Sequence, residues 1–369
     1  MKIVITGAGG GHFYPLIAVA ERIRKEIFIQ KLIQPEIYFF SDKPYDEEVL
    51  FNIDCKFVET PAGKLRLYPS AQNISDLFKT FYGCLVALFK LYSLYPDVVF
   101  AKGGYASFPT ILAARILSIP VVVHESDTVP GRTTMWAGKF ATRVALSYPE
   151  AAPFYPSDKV ALTGQPIRDA LLPPADFEKK YTKKDRPVIL ILGGSQGSQI
   201  LNTAVLEALP ILLTKYDIVH QAGKGNSKEV EDVARHLLVH HEFKDRYFVD
   251  GFIDASLFYS KVDLAITRAG SAMFEMVLWR IPMVVVPISE AISRDQRSNA
   301  YAMASHGVAT VLEENNLGSN VLTSVVDRIL ENDDEYKGMI KNAHLFEDSR
   351  MAATTIAREL VRICLSHIS

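Results

Sequence analysis

The chain predicts an α/β protein built from two doubly wound halves, and three observations carry that prediction. Short runs rich in Val and Ile alternate with helical patterns along all 369 residues. The runs are apolar on both faces, as strands of a parallel sheet covered by helices on each side must be. Each half opens with a strand that runs straight into a glycine-rich turn. These are Gly7-Ala8-Gly9-Gly10-Gly11-His12 after Ile3–Thr6, and Gly193-Gly194-Ser195-Gln196-Gly197 after Val188–Leu192. Such turns set helix N–H groups at the carboxyl end of a strand, where an anion can be held, and two halves facing one another make a cleft. At 49% apolar composition the length supports two ordinary cores.

In chain order, the first half predicts strands at Ile3–Thr6, Ile37–Phe40, Val98–Ala101, Val121–His124 and Val144–Ser147. The second predicts Val188–Leu192, Ile218–Gln221, Tyr247–Val249, Leu264–Thr267, Met283–Pro287 and Val308–Leu312. The polar, proline-bearing segment from Gln165-Pro166 to Arg186-Pro187 reads as a linker. The domains are therefore expected at 1–164 and 165–345, with a tail at 346–369. Asn320–Leu330, Glu335–Phe346 and Arg350–Ile368 read as helices, the last expected to bridge back to the first domain.

A formal charge of −2 gives no global attraction to nucleic acid or anionic lipid, so any such contact needs a local patch. Cys55, Cys84 and Cys364 are too widely spaced for a disulfide framework or zinc site and fit reduced thiols in a cytoplasm. Met1 leads directly into a strand, without the charged, apolar and small-residue order of a secretory signal. The most apolar stretch, Phe78–Tyr95, is interrupted by Lys79, Gly83 and Lys90 and is expected to fall short of a membrane span. A helix over Ser75–Lys90 has more aromatic surface than one buried stripe needs. With Lys64, Arg66 and Lys79 close by, it could lie on a membrane surface with Phe78, Phe81, Tyr82 and Leu85 inward.

The first turn invites a dinucleotide-binding reading, with Asp42 as the ribose acid. That reading fails because His12 occupies the position where close helix–strand packing needs glycine or alanine. A proton-carrying side chain stands there instead, the alternative being a simple helix cap. Lys102-Gly103-Gly104-Tyr105-Ala106-Ser107 repeats the device after Val98–Ala101, with two glycines where a plain turn needs one. His124-Glu125-Ser126-Asp127 ends a buried strand and brings two carboxylates and an imidazole to the same rim. One of these could act as a general base within about 3 Å of a hydroxyl, or the pair could merely hold its loop. In the second half, the Gly193–Ser198 turn lacks the Gly-Lys-Ser/Thr ending of a P-loop and reads as a diphosphate seat without a metal-bound triphosphate. Arg268-Ala269-Gly270-Ser271 ends another strand, and Glu275 in the next helix can accept two hydrogen bonds from a ribose diol.

These residues resemble the MurG family of peptidoglycan glycosyltransferases, family 28 enzymes of the GT-B fold. The matching stretches are GAGGGH, GGYASFP, HESD followed by PGRTT, TGQPIR, GGSQGSQILN, DGFID, RAGS with Glu275, and SRDQRSNA, in the family's order across both halves. The resemblance implies inverting transfer of N-acetylglucosamine from UDP-N-acetylglucosamine to the C4 hydroxyl of the muramoyl sugar of lipid I. It also implies no cofactor, no metal and no nucleic-acid partner. The expected setting is peripheral, at the cytoplasmic face of the cell membrane, among cell-wall synthesis proteins. Carried over residue by residue, Ser195, Gln196, Gly197 and Asn202 should face the donor diphosphate, with Arg168 near the nucleotide. Phe252 and Ile253 should meet the uracil, and Glu275 the ribose beside Arg268, Gly270 and Ser271. Asp295 and Gln296 should meet the sugar hydroxyls. His12, Glu125 and Asp127 are the catalytic candidates, and Gly10, Gly11, Gly103, Gly104 and Tyr105 should bind the acceptor. Three positions depart from the family's pattern: HESD stands for the commoner HEQN, Thr134 for Asn, and the Arg268–Glu275 interval is one residue shorter. The rival readings are a related transferase acting on another lipid, a UDP-sugar sensor, and a nicotinamide oxidoreductase, the last disfavoured by His12.

Overall fold

The computed structural model describes residues 1–64, 72–179, 181–182, 184–194, 197–289 and 294–366. The chain divides into two compact units: Met1–Asp169 joined by Asp348–Ser369, and Ala170–Glu347. The first boundary falls slightly beyond the expected 164, and the tail joins at 348 instead of 346.

The first unit runs β1 (Lys2–Thr6), α1 (Phe13–Ile29), β2 (Glu36–Ser41), α2 (Glu47–Asn52), β3 (Cys55–Glu59), α3 (Gln72–Leu94), β4 (Val98–Ala101), α4 (Phe108–Ile116), β5 (Val121–Glu125), α5 (Arg132–Gly138), β6 (Arg143–Leu146) and β7 (Val160–Leu162). Among the described residues these strands form one parallel sheet in the order β3-β2-β1-β4-β5-β6-β7. Ile3 of β1 lies opposite Ile37 on one side and Val98 on the other. The strand order therefore reverses at β1, and the carboxyl ends of β1, β4 and β5 open at this switch point, the place where ligands bind in such sheets. Sequence reading missed β3 and β7, because Cys-Lys-Phe-Val-Glu is an edge strand broken by charged residues and Val-Ala-Leu an edge strand of only three residues.

α1 forms because apolar residues Leu16, Ile17, Ala20, Ile23 and Ile27 recur at helical spacing, and Pro15 falls in the first turn where its missing N–H costs nothing. That face packs on Ile3, Ile5 and Phe100 together with Ala353, Ile356, Ala357, Leu360 and Val361. The latter come from the final helix, α12, introduced with the tail below. The opposite face of the sheet buries Val4, Val99, Val121 and Val123 against Ala87 and Leu91 of α3 and Ile111 and Ala114 of α4.

In the second unit follow β8 (Val188–Leu192), α6 (Gln199–Leu212), β9 (Asp217–Gln221), α7 (Ser227–Leu237), β10 (Tyr247–Asp250), β11 (Leu264–Thr267), α8 (Ala272–Leu278), β12 (Met283–Val285), α9 (Arg294–Ser305), β13 (Ala309–Val311), α10 (Ser319–Glu331) and α11 (Asp333–Asn342). Its described strands form a parallel sheet in the order β10-β9-β8-β11-β12-β13. The same reversal occurs at β8, which pairs with β9 and β11. Ile189, Ile191, Leu264 and Ile266 form the core with α6 and α10. α12 (Asp348–Ser366) then returns to the first unit, where Arg358 Nε donates to Glu26 Oε2 at 3.0 Å.

α3 corrects one expectation. It continues for 23 residues, and its most apolar 18-residue stretch has a mean hydropathy of 1.3, long and apolar enough by length and composition to cross a membrane. The interruptions at Lys79, Gly83 and Lys90 do not stop it, because Ile74 and Leu77 extend the apolar face beyond Phe78. Only its Gly83-Ala87-Leu91 edge is buried. A side chain at Gly83 would meet the Pro61 carbonyl oxygen at 1.6 Å, so glycine lets the helix axis approach that segment. Phe78, Phe81, Tyr82, Leu85, Phe89 and Tyr92 remain exposed on the other side.

Candidate active site

Two clusters of site residues stand at the two switch points, one in each unit. In the first, Gly103 and Gly104 both adopt positive φ, near +80°, and a Cβ on Gly104 would press on Ala8 at 2.7 Å. Glycine at these positions brings the turns after β1 and β4 together. Gly10 and Gly11 lead into His12, which stands ahead of α1 without capping it by its side chain. Its ring turns instead toward β4, with Nδ1 3.1 Å from the Lys102 carbonyl oxygen. A carbonyl only accepts, so Nδ1 carries the proton and Nε2 holds the lone pair. Burial, with the Lys102 ammonium second, lowers the ring's proton affinity below the usual value, and the Asp127 charge opposes them.

Tyr105 does not stand alone. Its phenol donates to Asp42 Oδ2 at 2.8 Å, and Tyr45 donates to Asp42 Oδ1 at 2.7 Å. Asp42 thus fixes Tyr105 at the rim, and that leaves the nucleotide-ribose role considered for it without a free carboxylate edge. Glu125 is a hub. It accepts the Asp127 and Gly131 backbone N–H groups, each at 3.0 Å, the Thr134 hydroxyl, and the Tyr155 phenol at 3.3 Å. Burial and the neighbouring Asp127 push its carboxyl up to about 7. With four donors on its two oxygens, Glu125 holds the 126–134 loop in place.

In the second unit the turn after β8 has Gly194 and Gly197 at positive φ. A Cβ at Gly197 would sit 2.0 Å from the Ala222 carbonyl, so the loop touches the end of β9. Gly197 N–H donates to Gly194 O at 3.1 Å and closes the turn. Ser195 and Gln196 lie outside the described residues, as does the side chain of Asp295. Ser198 caps α6 through Leu201 N–H, leaving the positive end of that helix at the turn. Gln221 ties two loops together, its Nε2 donating to Gly194 O at 3.2 Å and its Oε1 accepting Ile253 N–H at 3.1 Å. Ile253 is buried beside exposed Phe252, whose ring has Lys224 Nζ 5.8 Å from its centroid.

Three donor candidates turn inward. Asn202 donates to Ala222 O at 3.0 Å and accepts from His220 Nε2 at 3.1 Å, so its amide braces β9. Arg268 donates to Glu314 at 2.6 Å, to Ser198 Oγ at 2.5 Å and to Val286 O at 3.1 Å. Its charge is matched inside the protein, and it positions the turn that Ser198 caps. Arg168 is held by Glu21 of α1 through two hydrogen bonds, at 3.0 and 2.9 Å. Glu275, by contrast, keeps a single partner among the hydrogen bonds described, the Tyr259 phenol at 2.6 Å, and burial pushes its carboxyl up to about 7. Gly270 is exposed ahead of α8, with Ser271 next to it. Gln296 Oε1 lies 3.5 Å from the Ile288 N–H.

Comparison with known proteins gives this geometry a family. The glycosyltransferase family 28 N-terminal domain matches residues 3–146 and its C-terminal domain residues 188–356. A Bacillus anthracis protein named UDP-N-acetylglucosamine–N-acetylmuramyl-(pentapeptide) pyrophosphoryl-undecaprenol N-acetylglucosamine transferase 2 is 33% identical over 100% of this chain and 99% of its own. The chain belongs to the MurG family. It is accordingly a hexosyltransferase of family 28. A Geobacillus thermodenitrificans member is 34% identical over 91% of this chain and 92% of that protein. The crystal structure of Acinetobacter baumannii MurG matches with a TM-score of 0.72 at 23% identity, covering 98% of this chain and 99% of that one. A UDP-GlcNAc 2-epimerase from Neisseria meningitidis bound to UDP-GlcNAc has a TM-score of 0.68 at 15% identity, covering 99% of this chain and all of that one, a likeness of GT-B fold.

Within this MurG-family chain, motif reading gave no role to Lys102, Gln165, Tyr259 and Glu314, and weighed Asp42 only as a ribose acid and not as the partner of Tyr105. Lys102 had a usable signal, a charged residue fixed at the end of a fully apolar strand and immediately before two glycines. Tyr259 and Glu314 had none, since each reaches its partner from a distant loop.

Proposed function

We propose that this chain transfers N-acetylglucosamine from UDP-N-acetylglucosamine to the C4 hydroxyl of the muramoyl sugar of lipid I, giving lipid II and UDP. The carrying observation is the identity of one third to relatives of that name along 92–99% of their length. The acceptor binds the first unit and the donor the second. His12 Nε2 takes the proton of the acceptor hydroxyl while its oxygen bonds to the anomeric carbon. The carbon–oxygen bond to the diphosphate breaks, and its electron pair leaves with UDP, inverting the centre. The positive end of α6 receives the diphosphate charge. Glu275 accepts the ribose hydroxyls, Phe252 and Ile253 flank the uracil, and Gln296 contacts the sugar. Transfer needs no metal or other cofactor.

The same reading makes the enzyme peripheral at the cytoplasmic face of the cell membrane, in wall synthesis that sustains shape and division alongside other wall-building proteins. The exposed apolar side of α3, flanked by Lys64 and Lys79, supports an anionic membrane surface as the seat.

The test is UDP release from purified protein, with and without a lipid I analogue, in EDTA. Release that depends on the acceptor and persists in EDTA is expected, and His12→Ala should lower kcat by about 10²- to 10⁴-fold with little change in donor KM. Donor binding without acceptor-dependent release would overturn the acceptor assignment.

A further inference from the structure

Below His12 lies a lysine to which the proposed reaction gives no part. Lys102 is 1% exposed, at the carboxyl end of β4. Its Nζ donates to His124 Nδ1 at 2.9 Å and to Gln165 Oε1 at 3.4 Å. His124 must accept at Nδ1, so its proton sits on Nε2, directed at the Gly164 carbonyl 3.2 Å away. Gln165 Oε1 also accepts from Ser147 at 2.9 Å. Every one of these direct partners is neutral. An ammonium buried among neutral groups is costly unless a counter-charge is in range.

The charged groups facing Lys102 are Asp127 and Glu125, both from the end of β5. Those facing His12 are Lys102 from β4 and Asp127 from the β5 loop, with His124 next to them. Asp127 acts on both the cation and the imidazole, whereas Glu125 acts on the cation alone. Burial brings the Lys102 ammonium down to about 7 against the pull of these carboxylates.

We propose that Lys102 and Asp127 form an opposed charge pair around His12, each needed because the other is present, and that Lys102 thereby acts as a positioning residue for the proton transfer. The proposal rests on His12 as the base. The ammonium disfavours a proton on His12 and the carboxylate favours it, so removing one should expose the other.

Three variants test this: Lys102→Met, Asp127→Asn and the two combined. In Lys102→Met the acid limb of the kcat/KM profile should move to higher pH, by about one unit, the size expected of a single nearby charge. In Asp127→Asn it should move lower. The double variant should return toward the parent limb. Histidine carbon-labelled NMR, with the His12 signal assigned by His12→Gln, should show the same three movements without any turnover. Rates that fall equally at all pH values, with an unmoved His12 titration, would mean a structural plug and overturn the pair. If Lys102→Met does not fold, Asp127→Asn alone decides, since a downward movement of His12 is required. If the parent shows no transfer, the acceptor reading fails, and the NMR titration still decides the charge pair.

Discussion

Glu275 is the residue whose environment makes the sharpest forecast. Its carboxyl is raised to about 7 by burial, so in the free protein the ionised form that accepts two ribose hydroxyls is lost as pH falls through that value. Donor KM should therefore rise as pH is lowered from 8 to 6, by about tenfold per unit on the acid side, and Glu275→Gln should raise KM and abolish the slope. Steady-state kinetics in UDP-N-acetylglucosamine at fixed acceptor check this, and an unchanged slope in the variant would remove Glu275 from the ribose. Arg268 forecasts a stability effect. Its ion pair with Glu314 is largely buried, with side-chain exposures of 12% and 8%. Arg268→Met should destabilise the second unit by about 3–5 kcal/mol, and adding Glu314→Leu should recover much of that, measured by denaturant unfolding. His12 was legible in the sequence because it breaks a glycine pattern at one defined position. The burial of Lys102 and the ion pair of Arg268 were not legible, because composition cannot distinguish a lysine that is buried from one that is solvated, or show that an arginine meets a glutamate 46 residues on.

Among the elements, α3 carries the clearest consequence. Its exposed side presents Phe78, Phe81, Tyr82 and Leu85 at 51–70% exposure, and its inner edge is seated through Gly83. Phe78→Ser with Phe81→Ser should weaken cosedimentation with vesicles containing anionic lipid by about tenfold or more, while transfer to a short-chain soluble acceptor stays within about twofold. Equal loss of both would mean that α3 belongs to the acceptor site itself. Gly83→Ala should do the converse, because the added carbon meets Pro61 O and pushes the helix off its seat, lowering thermal stability by several degrees. The helix itself was foreseen from its aromatic excess. Its true length was not, because lysines at 79 and 90 were read as interruptions although both side chains stand on exposed positions where charge is tolerated. Glycine turns and β1, β4 and β8 were legible for a related reason: an apolar run that gives way within a residue to glycines has few other uses. Edge strands β3 and β7, half wet, carried no such contrast.

For the whole molecule, two doubly wound halves could be read from two alternating β/α series, each opened by a glycine turn, whereas the GT-B architecture was implied by the resemblance to the MurG family. The return of the last helix to the first unit was expected, but periodicity could not supply which face it covers: Ala353, Ile356, Ala357 and Leu360 of α12 complete the core over α1. Leu360→Ala should cost the first unit about 2–5 kcal/mol. The two tryptophans, Trp136 and Trp279, fall one in each unit, so Trp279→Phe leaves a fluorescence reporter for the first alone. A loss registered equally by Trp136 and Trp279 would show that the units do not unfold separately. The position of α12 also bears on synthesis. A ribosome finishes β1–β7 early, yet the apolar face of α1 stays uncovered while Ala170–Glu347 is made, roughly 10–40 s at about 5–20 residues per second. During that interval the nascent first unit is a client for any factor that shields apolar helices, and a stop codon ahead of Asp348 would make that exposure permanent.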